Sequence, residues 1–117
     1  MIGDQIWAKN VLIALEYVYD EKYQRRSWTG IGPEVSSPSE MFNVLFNDCS
    51  IDKFISHPPE FVTRETIRRI QNLACEMEPI EVDDANPELL LDSPLWSKVR
   101  EAALSAAESL RRDLRPN

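Results

Sequence analysis

The chain has 117 residues, enough for one domain with its own core, and nothing in that length demands a metal or a disulfide. Twenty acidic residues against thirteen basic ones give a net charge of −7, which argues against nucleic acid or an anionic membrane as a general partner, because both repel a negative surface. A hydrophobic content of 43% with only three glycines argues against wholesale disorder.

The segment Met1-Ile-Gly-Asp-Gln5 lacks a basic start and an unbroken apolar stretch, so it does not read as a signal peptide. No apolar run approaches the roughly 20 residues of a membrane span. These features lead to an expectation of a soluble, cytoplasmic protein. Cys49 and Cys75 lie in no CxxC or zinc-like spacing. Within apolar patterns they read as buried, reduced thiols, and a disulfide between them stays open.

In chain order, Ile6, Trp7, Val11, Ala14, Leu15 and Val18 recur at helical steps and predict a helix from Asp4, its N-cap, to about Arg26. Tyr17, Tyr19 and Tyr23 extend its apolar face, and Asp20-Glu21-Lys22 is a point where it can divide in two. A glycine- and proline-rich loop, Thr29–Pro33, follows. Ser37, Pro38 and Glu40 form a capping box with proline at N1, opening a second helix that ends near Phe54, before His57-Pro58-Pro59. Thr63 opens a third, with Ile67, Ile70, Leu73, Ala74 and Met77 as its stripe and Pro79 as its stop. Glu78 to Asp92 is an acidic connector. Ser93 and Pro94 then start a last helix whose apolar positions run from Leu95 and Trp96 through Ala102, Ala103, Ala106 and Ala107 to Leu110. The expectation is an all-α, single-domain chain over residues 1–117: a bundle of four to five helices with an acidic connector before the last.

Between Ile70 and Ser97 the chain carries seven acids and no Lys or Arg. These are Glu76, Glu78, Glu81, Asp83, Asp84, Glu88 and Asp92. Their concentrated negative field would speed and orient encounter with a basic protein surface, while Ile80, Val82 and Leu89–Leu91 would supply apolar contact. The competing reading is a solvated loop whose apolar residues tuck into the protein's own core. A metal is not expected, because Asp83-Asp84-Ala85-Asn86-Pro87-Glu88 lacks the turn glycine and the spacing of a calcium loop. No cofactor is expected either.

No catalytic residue is assigned. His57, the single histidine, has no local partner, and Asp48 and Asp52, at an i, i+4 step, read as a solvated or Arg-paired helix face. Arg25-Arg26, Arg68-Arg69 and Arg111-Arg112 read as salt-bridge partners of nearby acids. The chain is expected to be a binding protein, not an enzyme.

Three segments carry a resemblance: Tyr23-Gln-Arg-Arg-Ser-Trp28, Met41-Phe-Asn-Val-Leu-Phe-Asn-Asp48 and Asp92-Ser-Pro-Leu-Trp-Ser-Lys-Val-Arg-Glu-Ala102. Together they resemble small helical immunity proteins of bacterial contact-dependent growth inhibition systems. The resemblance implies binding of a cognate toxin's C-terminal domain inside the cell, commonly a nuclease with a basic groove, and occlusion of its active site. Trp28, Tyr23 and Leu89–Leu91 are the candidate apolar anchors, and the seven acids are the candidate partner-binding residues, on charge alone. An acidic helical adaptor or regulatory subunit, with no toxin-related role, is the alternative.

Overall fold

Short polar side chains and prolines decide where the helices begin. In the computed structural model, which describes residues 2–30 and 36–115, the Asp20 carboxylate accepts from the Tyr23 amide. That cap divides the first predicted helix into α1 (Ile2–Tyr19) and α2 (Glu21–Thr29). Gly30, at φ 77°, takes the left-handed conformation that closes α2, and its amide bonds the Arg26 carbonyl. Ser37 caps α3 (Pro38–Asn43) by accepting from the Glu40 amide. The return half of the expected capping box is not made: the Glu40 carboxylate accepts from the Ser36 hydroxyl at 3.4 Å. Thr63 and Ser93 cap α5 (Arg64–Met77) and α7 (Pro94–Leu114) as their positions predict.

Two expectations fail at helix ends. Asp4 is not an N-cap, because α1 is already helical at Ile2. The second helix does not continue to Phe54. It widens into a π-helical turn, Val44–Asp48, in which the Cys49 amide bonds the Val44 carbonyl, and Ser50 then turns left-handed at φ 50°. The cause is tertiary. The Cys49 carbonyl accepts from the Trp7 indole at 2.7 Å, and the reversal re-aims α4 (Ile51–Ser56) so that Ile51 and Phe54 are buried. Trp7 meets Phe54 edge to face.

The described residues therefore hold seven helices and a π-turn, more than the four or five expected, and all belong to one helical unit around a single core. The count rises because the first two predicted helices each divide and because Pro87–Leu91 forms a short helix, α6, inside the expected connector. α7 is central and packs against both α1 and α5. Its buried Ala102, Ala103, Ala106 and Ala107 let those helices approach closely. α5 and α7 are antiparallel: Thr66 Oγ1 lies 2.6 Å from Ser109 Oγ, Thr63 meets Asp113, and Arg69 donates to the Ser105 carbonyl. α2 packs on α6, and α3 with its π-turn packs on α1.

The three segments that carry the sequence resemblance converge in this core. The Gln24 amide nitrogen donates to the Tyr17 and Val18 carbonyls, and its oxygen accepts from the Trp96 indole at 3.0 Å. Trp96 also lies against Trp28 and Phe42, and Arg25 bonds Asp92 at 3.1 Å. Their common role here is architectural.

Several side chains sit elsewhere than expected. Ile6, assigned to the apolar face of the first helix, is 54% exposed. Cys75 is exposed, off the Ile70–Leu73–Met77 stripe of α5, while Cys49 is buried, and both are free thiols. Burial, and then the nearby Asp48 charge, push the Cys49 thiol up. No described helix is long and apolar enough to cross a membrane.

Candidate functional site

The antiparallel packing of α5 on α7 sets the start of each helix beside the close of the other. One end of the pair gathers Arg64 and Arg68 at the start of α5 with Arg112 and Arg115 at the close of α7, all exposed. The other end holds the close of α5, α6 and the start of α7, where the sequence from Ile70 to Ser97 has no base.

The seven acids divide into two groups. Asp84 accepts from the Ser39 amide at 3.0 Å and so helps to close the start of α3. Asp83 accepts from the Asn86 side chain and the Ala85 amide, which hold its carboxyl below the usual carboxylate range. Asp92, at the end of α6, binds Arg25. These three hold the segment in place. Among the described residues, the side chains of Glu76, Glu78, Glu81 and Glu88 make no hydrogen bond or ion pair.

Two of those four sit where helix electrostatics disfavours them. Glu76 lies in the last turn of α5 and Glu78 caps its end, next to unpaired carbonyls that already carry the negative pole of the helix. No basic residue lies in that last turn. Acids at this end cost stability locally, and such departures from local rules concentrate at functional surfaces.

Beside these acids runs an open groove of about 500 Å³. Pro79, Ile80, Val82, Leu89, Leu90 and Leu95 form its apolar lining, and Glu81 and Asp83 stand among them. Leu89 is 71% exposed and Leu95 48%, although both are large apolar side chains. Large apolar side chains exposed along a depression that also holds two carboxylates make this the candidate binding surface.

The structure divides the predicted anchors. Leu89 faces solvent, whereas Leu90 and Leu91 are buried where α6 packs on α2. Trp28 is no surface anchor: it is 7% exposed, against Trp96. Tyr23 is half-buried against Tyr17, away from the groove lining. Leu95 was assigned to the buried face of the last helix and is a groove residue instead. Its place directly after Pro94, one residue before the buried Trp96, is the sequence signal that separates the two.

The other candidates form no such ensemble. Asp48 and Asp52 are both exposed, but the left-handed Ser50 between them breaks the helix, so the i, i+4 geometry is absent. His57 is exposed, and its Nδ1 lies 2.9 Å from the neighbouring Ser56 hydroxyl. No carboxylate bonds that pair among the described residues. Arg25, Arg68 and Arg69 pair with the nearby acids Glu21 and Glu65, as their sequence context predicts, whereas Asp92 and Glu16 reach Arg25 and Arg111 only through the fold, and Arg26 and Arg112 make no ion pair among the described residues. No cluster of three metal-ligating side chains occurs among the described residues.

Compared with protein-family models, curated proteins and solved structures, the chain matches none of them.

Proposed function

We propose that this protein binds a basic protein partner through its acidic end and that the partner is a toxin domain, which it neutralises by occlusion as an immunity protein. The observation that carries the binding surface is the groove over Pro79–Leu95, lined by exposed leucines and by carboxylates, with no base in its lining. The resemblance of the Tyr23–Trp28, Met41–Asp48 and Asp92–Ala102 segments supplies the kind of partner. A nuclease toxin presents a cationic substrate groove, and an acidic inhibitor is its electrostatic complement. Charge speeds encounter, and a desolvated apolar anchor supplies tight binding. Leu89 and Leu95 are the anchor residues of this reading.

The test is co-expression with the product of the adjacent reading frame, followed by co-purification and a growth-protection assay. Stable co-purification with rescue of growth supports neutralisation. A stable complex without rescue supports the other reading of the same surface, an adaptor or regulatory subunit.

A further inference from the structure

The groove holds more information than the acidity around it. From its chemistry we infer that its occupant is a cationic amphipathic segment of the partner, with a Leu- or Phe-sized side chain seated between Ile80, Leu89 and Leu95 and with Lys or Arg residues on either flank. This rests on the reading of the acidic end as the binding surface and specifies what enters it.

Three features fix the class. The lining exposes Leu89 and Leu95 beside Ile80, so the occupant must bring an apolar side chain; a purely ionic ligand would leave Leu89 and Leu95 in water. Carboxylates stand on both sides along the chain: Glu78 precedes Pro79, Glu81 and Asp83 alternate with Ile80 and Val82, and Glu88 precedes Leu89. An anionic or neutral segment would therefore have to bury or crowd those charges, at a cost that a cationic one avoids. Finally, Glu76 and Glu78 add their charge to the negative pole of α5 with no base in its last turn, so the field at this end favours cations even before a partner arrives. Lys and Arg also suit the rim sterically, because their alkyl stems can lie over Leu89 while their heads reach the carboxylates.

The probe is a fluorescent lysine–leucine peptide with helical amphipathic spacing, titrated against the full chain and followed by anisotropy. Two comparison peptides have glutamate in place of lysine, or lysine with no leucine. The expected result is binding of the lysine–leucine peptide alone, weakened about tenfold by Leu89→Gln with Leu95→Gln. Neutralising Glu81 and Glu88 to Gln weakens it and flattens its salt dependence. Neutralising the exposed Glu60 and Glu108, at the far end of the α5–α7 pair, to Gln removes the same charge elsewhere and leaves affinity within about twofold, since distant surface charges are screened. Equal binding of the leucine-free peptide, or an equal loss from the two pairs of glutamate changes, would overturn the inference, because either makes the contact one of net charge. So would binding unaltered by the leucine changes. All these positions are exposed, and a circular dichroism melt confirms that the variants fold. Growth protection without peptide binding would sink this occupant but leave the toxin reading standing; peptide binding without protection would do the reverse.

Discussion

The buried side-chain amide of Gln24 receives the Trp96 indole N–H at its oxygen and gives its own N–H groups to the last carbonyls of α1. One fully buried side chain thereby joins α1, α2 and α7. It also satisfies two helix-end carbonyls, of which that of Val18 is buried. Replacing Gln24 with Leu leaves those carbonyls and the indole without partners. The expected loss is about 2–4 kcal/mol in urea unfolding, with a smaller loss of about 1–2 for Trp96→Phe. The double variant should lose less than the sum, because the second change removes a partner already orphaned.

A second polar knot fastens α5 to the end of α7. The Asp113 carboxylate accepts from the Thr63 amide at 2.9 Å and from the Thr66 hydroxyl at 2.6 Å, with Ser109 beside them. Asp113→Ala strips the start of α5 of this acceptor and should cost about 1–3 kcal/mol. Thermal melts of Asp113→Ala and Asp113→Asn check it, the amide keeping part of the bonding.

The acids of the connector should separate by experiment into fastening and free. Asp84→Ala removes the acceptor for the Ser39 amide, a capping contact, and should lower stability by about 0.5–1 kcal/mol. Glu81→Ala should leave stability unchanged. Glu76→Gln with Glu78→Gln should raise it by about 0.5 kcal/mol, since both charges oppose the α5 dipole. A gain in melting temperature accompanied by a loss of partner affinity would mark these two residues as kept for binding at the expense of stability.

Acid should weaken the fold in a defined direction. Hydrogen bonds from Arg25, with the Arg100 charge beside it, hold the Glu21 carboxyl below its ordinary value; Arg68 and then Arg69 do the same for Glu65, and the Asn86 side chain for Asp83. In the unfolded chain these groups titrate near 4. The native state therefore holds its charges to lower pH than the unfolded state does. The stability they contribute is complete above the unfolded values and is lost as pH falls through the folded ones. The urea midpoint should fall below about pH 4–5, and replacing Glu21 and Glu65 with Gln and Asp83 with Asn should flatten that decline.

Three helix starts were legible in the sequence because capping is local: Ser37, Thr63 and Ser93 each act within three residues of themselves. The break at Cys49–Ser50 was not, because its cause is the Trp7 indole, 42 residues away. Pro87 did signal α6, but three consecutive leucines do not declare which one faces out. That is decided by α2, against which Leu90 and Leu91 are buried while Leu89 is left exposed. The acidity of the site was plain in the sequence. The groove was not, because Ile80 and Leu95 become neighbours only once α6 folds between them.

The most direct measurement is growth protection by groove variants against the toxin domain proposed as the partner. Wild-type protein and the Glu60→Gln, Glu108→Gln variant should both rescue growth. The Leu89→Gln, Leu95→Gln variant, expressed and folded to the same level, should not. Full rescue by the leucine variant would contradict a groove-centred interface.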